Sequence, residues 1–227
     1  MALGLFVAGT DTGIGKTYAS CVLLHALRAA GYRATGMKPV ASGCRATAHG
    51  LRNDDALSLI AASDPAPDYE ACNPFALPEA VAPHLAARIA VVDITLAPIA
   101  QAYAQLARSA DRVVVEGVGG WAVPLSDSLM QADLVRTLEL PVILVVGLRL
   151  GCINHALLST RAIAADGCTL AGWIANRIDP AMACADENLA TLQARIAAPL
   201  LGVLDYAADA LPAQAAPALA RAAAMNL

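Results

Sequence analysis

The sequence predicts one α/β domain over residues 1–227, built on a doubly wound, mostly parallel sheet with helices on both faces. Three observations predict this fold class. Apolar runs at 3–8, 113–115 and 141–147 have the composition of buried parallel strands. Helix-length segments separate these runs, and a glycine-rich turn joins the first run to a helical segment. Residues 44–93 are expected to form a partly irregular excursion over the active face.

The first apolar run leads into a loop that reads Gly9-Thr10-Asp11-Thr12-Gly13-Ile14-Gly15-Lys16-Thr17. Glycines let successive backbone N–H groups face one anion, and the following helix N-terminus adds unpaired donors. Lys16 is expected to reach the outer phosphates of a nucleotide, and the Thr17 hydroxyl to bind its magnesium. The first glycine lies one position earlier than in the common spacing. The loop predicts a P-loop NTPase-like fold, against the alternative of a glycine-rich turn with a chance Gly-Lys-Thr.

The segment after the loop repeats its apolar residues at helical spacing, and Gly31 ends the predicted helix. A second strand over 33–37 then delivers Lys38. Ligands gather at the carboxyl ends of parallel strands, so Lys38 is expected beside the phosphate loop.

Two acidic positions follow. Asn53, Asp54 and Asp55 precede a predicted helix over 56–62, after a loop over 44–52. Helix capping and metal binding are both open there. Glu116 ends the valine-rich strand, where it can hold magnesium next to Thr17 or pair with a local cation.

The second half alternates helices and strands. Helices are predicted over 97–109 and 131–138, with a proline-rich irregular stretch over 63–83 before them. Residues 150–155 open a further helix whose free N–H groups can bind an anion such as a substrate carboxylate, while Cys152 is expected to pack. A strand over 169–175 ends at Asn176, whose amide can recognise an adenine edge. A helix reaching Ile196, a strand over 200–204 and a surface helix after 207 complete the chain.

Composition limits the classes of partner. The net charge is −4, and the sequence has no lysine or arginine runs, which argues against nucleic acid. No apolar stretch approaches a membrane span, and no export signal is expected at the start. The six cysteines form no C-x-x-C pair, which favours reduced thiols in a cytoplasm.

Several motifs in register resemble the dethiobiotin synthetase family of the biotin pathway. They are GTDTGIGKT (9–17), GMKPVASG (36–43), LRNDDA (51–56), VVVEGVGGW (113–121), LPVILVVGLRLGCINHA (140–156) and LAGWIAN (170–176). The resemblance implies an ATP- and magnesium-dependent cyclo-ligase. Such an enzyme converts 7,8-diaminononanoate and CO2 to dethiobiotin, ADP and phosphate, and the family implies a homodimer with the substrate site at the interface.

The resemblance also implies roles for individual residues. The catalytic residues would be Lys38, Lys16 and Thr12, and the metal ligands would be Thr17, Asp55 and Glu116. The nucleotide contacts would be Gly13, Ile14, Gly15, Lys16, Thr17, Tyr18, Asp55, Glu116, Gly119, Asn176 and Arg177. The substrate contacts would be Ser42, Thr12, Gly151, Cys152 and Asn154.

Three positions depart from the family pattern, and two other functions stay open. Gly13 stands where glutamate is common, Arg177 where an aspartate often follows the asparagine, and Asp205 where proline is common. The resemblance therefore predicts phosphate binding without fixing the base. A related amidotransferase-type synthetase would need a glutaminase portion with a cysteine nucleophile. A switch ATPase of the partitioning type would carry an extra lysine where this loop has Asp11.

Overall fold

Six parallel strands form the central sheet of the protein, in the order β10-β9-β8-β1-β7-β2. The computed structural model describes residues 3–206 and 211–224. In that part of the chain the strands are β1 (Leu3–Gly9), β2 (Ala34–Met37), β3 (Val40–Ala41), β4 (Arg45–Thr47), β5 (Gly50–Arg52), β6 (Phe75–Ala76), β7 (Arg112–Glu116), β8 (Val142–Leu148), β9 (Leu170–Arg177) and β10 (Leu200–Leu204).

Helices cover both faces of this sheet. They are α1 (Lys16–Ala29), α2 (Asp54–Ala62), α3 (Tyr69–Cys72), α4 (Pro83–Ala90), α5 (Leu96–Ser109), α6 (Gln131–Thr137), α7 (Cys152–Ala165), α8 (Ala185–Arg195), α9 (Pro212–Ala215), a 3-10 turn (Ala216–Leu219) and α10 (Ala220–Ala223). One apolar cluster packs α1, α2 and the C-terminal turns against one face of the sheet. A second cluster packs the helices from α5 through α8 against the other face. The predicted doubly wound, mostly parallel architecture is confirmed.

The strand order determines where ligands can bind. β1 lies between β7 and β8, so the order of the strands reverses beside it, and a crevice opens at the carboxyl ends there. Val7 is paired with Glu116, and Met37 with Val115. The phosphate loop, Glu116 and Lys38 therefore leave the sheet side by side.

Residues 44–52 differ from the predicted loop. β4 and β5 form an antiparallel hairpin, with Arg45 opposite Arg52. The prediction was wrong because the strands have three residues each and β4 is fully exposed, so neither has an apolar pattern to detect.

The proline-rich stretch is partly ordered into short elements. It contains α3 and β6, and β6 pairs in parallel with β3 in a two-stranded sheet of its own. α4 follows and reaches Ala90. The extent of a single domain over 1–227 stays a prediction.

The C-terminal segment packs against the sheet, in contrast to the predicted surface helix. Leu219, Ala222 and Ala223 are buried against α1 and β10. Gly202 permits this approach, because a Cβ there would lie 2.1 Å from the Ala218 carbonyl oxygen. Residues 207–210, where the prediction began, lie outside the described part. No helix in the described ranges has the length and apolar character needed to cross a membrane.

Truncating Leu219 to alanine is expected to lower the free energy of unfolding by about 2–4 kcal/mol, because the side chain is fully buried and its loss leaves a cavity. Leu211→Ala in the same segment is the matched control, since Leu211 is 64% exposed, and a change within about 0.5 kcal/mol is expected. Urea unfolding measures both. Equal effects for the two variants would contradict the packing of this segment.

Candidate functional site

The phosphate loop depends on glycine at positions where a side chain would collide or be strained. Gly13 and Gly15 have φ angles of +72° and +82°, in the left-handed region that favours glycine. A Cβ on Gly15 would lie 2.2 Å from the Asn176 amide nitrogen, and one on Gly9 would lie 2.8 Å from the stem of Lys16. The open space beside Gly13 would accept a side chain, but its backbone angle would strain one.

Lys16 begins helix α1 and folds back over the loop. Its ammonium donates to the Asp11 carbonyl oxygen at 2.9 Å. Burial and, after it, the neighbouring charge of Lys38 outweigh the nearby acids and lower the pKa of Lys16 to about 8. The Lys16 ammonium is therefore buried and weakly solvated at the end of the phosphate loop. Such a group is suited to bind an anion.

Glu116 and Lys38 form a buried ion pair at the centre of the crevice. The Glu116 side chain is 0% exposed, and its Oε1 lies 2.6 Å from the Lys38 ammonium. That ammonium also donates to the Gly117 carbonyl at 2.9 Å and lies 3.2 Å from the Asp55 carboxylate. Burial alone would lower the pKa of Lys38, but the two carboxylates outweigh it and hold the pKa above its ordinary value. Lys38 is therefore a firmly charged ammonium.

Asp55 and Thr17 complete the polar cluster. The Thr17 hydroxyl donates to Glu116 Oε1 at 2.9 Å. Burial would raise the pKa of Asp55, but the positive charge of Lys38 and the polar groups nearby lower it overall, so the group is a carboxylate. The capping role falls to Asn53, whose side chain accepts from the Ala56 N–H at 3.2 Å. Asp55 is thus available to the crevice.

The cluster has the donor chemistry of a magnesium site. Thr17, Asp55 and Glu116 offer a hydroxyl and two carboxylates, and hard oxygen ligands are those that magnesium prefers. Within the described residues, Glu116 Oε2 is buried without a hydrogen-bond partner, and a buried charged oxygen of that kind fits a cation as its partner. The residues present therefore fit the metal that the sequence predicts.

A cleft of about 950 Å³ surrounds this cluster. Ten of the predicted site residues line it: Thr12, Gly13, Gly15, Lys16, Thr17, Lys38, Ser42, Asp55, Glu116 and Gly119. Residues 80–83 and 122–124 give the same cleft an apolar wall. The cleft thus combines polar groups that suit phosphates and metal with apolar groups that suit a hydrocarbon chain.

Other predicted residues lie away from this cleft. Ile14 is buried beneath the loop, and Tyr18 lies partly buried on α1. Asn176 donates through its amide to the Ile14 carbonyl at 2.8 Å, so it also supports the loop. Arg177 pairs with Asp186 and, at 3.4 Å, with Asp205. Two of the positions that depart from the family pattern therefore contact each other.

The predicted carboxylate-binding residues also lie outside the cleft. Gly151 and Asn154 are exposed, and Cys152 is buried. They begin α7, where Gly151 has a φ of +95°. Within one chain the structure does not bring this segment to the cleft lining.

Sequence reasoning missed several residues that hold the site together. Gln131 is buried and fixes the turn after Glu116, because it accepts from Val118 N–H and donates to the Gly120 carbonyl, each at 2.8 Å. Asn73 donates to the Lys38 carbonyl at 2.6 Å. Neither has a signal in the sequence, since each is one amide in a segment without a recognised motif.

Comparisons with known proteins show the family of the chain. A family model described as an AAA domain matches residues 3–214. The ATP-dependent dethiobiotin synthetase BioD of Xanthomonas euvesicatoria pv. vesicatoria (strain 85-10) is 62% identical over 201 residues, which cover 88% of this chain and 90% of that protein. The protein of the same name from Xylella fastidiosa (strain 9a5c) is 61% identical over 207 residues, with 91% and 92% covered.

A solved structure shares the fold at low identity. The MinC:MinD cell division protein complex of Aquifex aeolicus aligns with a TM-score of 0.57 and 13% identity, covering 98% of this chain and 94% of that one. At this identity the likeness shows the fold alone. With the matching family model, it confirms the P-loop NTPase-like prediction.

Lys16→Met is expected to stabilise the nucleotide-free protein while abolishing nucleotide binding. The pKa of Lys16 is about 8 in the folded chain, below the ordinary 10.5. Below pH 8 the buried group is charged, and the whole penalty of burying that charge then lowers the free energy of unfolding. The gain should be about 1–3 kcal/mol at pH 7. It should shrink as pH rises from 8 towards 10, because the folded protein then releases the proton before the unfolded one does.

Urea unfolding at pH 7, 8, 9 and 10 measures this dependence. Arg88→Met is a suitable control, because Arg88 is exposed and pairs only with an exposed carboxylate in the described structure. A loss of stability at pH 7, or a gain independent of pH, would contradict the account of Lys16.

Proposed function

The chain belongs to the ATP-dependent dethiobiotin synthetase family, and from that premise we propose how its residues close the ureido ring. It is an ATP-dependent ligase that makes dethiobiotin, with 7,8-diaminononanoate, CO2 and ATP as the proposed substrates. The observation that carries the proposal is the convergence of two lysines and two acids on one cleft with an apolar wall. A site for phosphates alone would not need that wall.

The phosphate end of the cleft binds ATP. The N–H groups of the loop and the Lys16 ammonium neutralise the phosphate oxygens. Thr17, Asp55 and Glu116 would hold Mg²⁺. When bound, Mg²⁺ neutralises charge on the phosphates.

The reaction proceeds through a carbamate. A neutral amine of the diamine adds to CO2 and loses a proton, which gives a carbamate. A carbamate oxygen then attacks the γ-phosphorus and releases ADP, and this forms a carbamic-phosphoric anhydride. The second amine attacks the carbamic carbon and displaces phosphate, which closes the ring. Such phosphoryl transfer depends mainly on positioning and charge neutralisation.

Lys38 acts as the central positive group in these steps. Its ammonium keeps its charge because Glu116 and Asp55 hold its pKa above the ordinary value. A fixed cation disfavours an ammonium on the substrate nearby, so it favours the neutral amine that CO2 requires. The same charge stabilises the carbamate and the transferred phosphoryl oxygens.

The remaining cleft residues orient the diamine. Thr12 and Ser42 offer hydroxyl groups to the cleft. The apolar wall over 80–83 and 122–124 accommodates the alkyl chain, which has no polar group to satisfy. With the alkyl chain held there, the amines would lie near the reacting groups.

The substrate carboxylate is bound across a homodimer interface in this proposal. Gly151, Cys152 and Asn154 lie at the N-terminal end of α7, where the positive end of the helix dipole favours an anion. Two exposed leucines flank this segment: Leu150 is 94% exposed and Leu158 is 55% exposed. An apolar surface of this kind supports contact with a second copy.

Two further assignments follow the family. Asn176 would read the adenine edge, with Arg177 and its partner Asp205 beside it. In the described structure the Asn176 amide is bonded to the Ile14 carbonyl, and Arg177 is paired with Asp205. These contacts support the binding of other nucleoside triphosphates besides ATP. A cytoplasmic location is supported by six free cysteines, four of them buried.

Neither alternative function gains support from a specific observation. Asp11 stands where a partitioning-type switch ATPase would carry its extra lysine. The chain is about 60% identical to the dethiobiotin synthetases over about nine-tenths of its length.

The direct test supplies the purified protein with ATP, Mg²⁺, bicarbonate and 7,8-diaminononanoate. Dethiobiotin and ADP are expected in equal amounts, with both dependent on the diamine. Mass spectrometry and a coupled ADP assay measure them. ATP hydrolysis that ignores the diamine and gives no ring product would contradict the ligase and favour a switch ATPase.

Replacing Lys38 by alanine should lower kcat at saturating ATP and diamine by about 10²–10³-fold, because a preorganised charge is lost from the reacting groups. ADP affinity should change little, since Lys16 and the loop remain. Lys38→Arg, which keeps the charge, serves as the matched variant and should retain more activity than alanine. Near-normal turnover by Lys38→Ala would overturn the assigned role.

A further inference from the structure

An ion pair joins the phosphate loop to the segment that follows β8. A guanidinium nitrogen of Arg149 contacts the Asp11 carboxylate, and the two residues are separated by 138 positions in the chain. Each side chain is 42% exposed, so the pair lies at the rim of the site and not in its core. Neither the phosphate-binding motif nor the proposed chemistry gives this pair a task.

Asp11 makes two contacts within the loop and one to Arg149. One carboxylate oxygen accepts from the Thr12 N–H at 2.7 Å, and the other contacts Arg149. Its carbonyl oxygen accepts from the Lys16 ammonium at 2.9 Å. The direction of the Asp11 side chain therefore fixes the 11–12 peptide and the oxygen to which the phosphate-binding lysine is bound.

The charge of Asp11 also needs a partner. A carboxylate in a loop that receives phosphates would repel them, because like charges at short range disfavour each other. The guanidinium of Arg149 offsets that charge where the loop turns. Arginine suits this task, because it stays protonated and its planar fork matches a carboxylate.

We propose that Arg149 is a positioning residue for ATP, acting through Asp11. It neutralises Asp11 and holds the first half of the phosphate loop in the shape that presents its N–H groups. The proposal rests on the proposed function only in taking this loop as the ATP site. Arg149 also accepts the Cys152 N–H at its carbonyl, at 3.0 Å, so the same residue links the loop to the start of α7.

The test compares Arg149→Met with Arg149→Lys by calorimetric titration of Mg-ADP and a non-hydrolysable ATP analogue. The methionine variant should raise both dissociation constants about fivefold to tenfold, a loss somewhat beyond that of an exposed pair because loop orientation is lost too. The KM for ATP should rise in parallel, while the KM for the diamine should change less than about twofold. Lysine, which keeps the charge, should restore most of the affinity.

Arg33→Met is the matched control. Arg33 forms a comparable half-exposed pair with Asp111 at the opposite edge of the sheet, so its loss should leave nucleotide affinity unchanged. Asp11→Asn tests the same contact from the other side, since the amide oxygen can still accept from Thr12. It should remove the effect of Arg149→Met, so that the double variant binds no more weakly than Asp11→Asn.

Two results would overturn the proposal. One is wild-type nucleotide affinity in Arg149→Met, and the other is equal weakening by Arg149→Met with and without Asp11→Asn, which would assign Arg149 a direct phosphate contact. The ligase function fails separately, through absence of dethiobiotin from the unsubstituted protein. If that occurred while nucleotide affinity still depended on Arg149 through Asp11, the inference would stand.

Discussion

The buried carboxylate of Glu116 is the constraint on which the rest of the site depends. It is fully enclosed at the end of β7, and an unpaired charge at such a position costs several kcal/mol. Lys38, directly after β2, and Thr17, in the first turn of α1, reduce that cost. Their positions follow from the parallel pairing of β1, β7 and β2. The sheet therefore brings the Lys38 ammonium and the first turn of α1, with the Thr17 hydroxyl, close to the Glu116 carboxylate.

The same arrangement explains how one cleft could bind magnesium, the phosphates of ATP and a carbamate. Glu116 and Asp55 hold Lys38 as an ammonium, and they are also the proposed ligands of magnesium. Lys16 is buried and weakly solvated on the phosphate side. In the proposed reaction, this positive charge would face the phosphate and carbamate oxygens. The apolar wall of the same cleft would contact the alkyl chain of the proposed substrate.

Short sequence patterns predict those parts of the candidate site that lie within one recognisable motif. Lys16, Thr17 and Glu116 were identifiable because a glycine-rich turn and a valine run define the ends of strands. The contacts of Gln131 and the Asp11–Arg149 pair were not, because each joins segments far apart in sequence. The β4–β5 hairpin was missed for a different reason, since its short exposed strands bury no apolar face. The packing of Leu219 likewise depends on the approach that Gly202 permits.

The central claim is that this cluster directs the γ-phosphoryl group of ATP to a carbamate oxygen and not to water. The most direct measurement supplies freshly prepared ¹⁸O-labelled bicarbonate in unlabelled water and follows the label by mass spectrometry over single turnovers. The account predicts one ¹⁸O atom in the released phosphate and one in the ureido carbonyl of the product. Released phosphate without label would contradict it, because that result requires water as the phosphoryl acceptor.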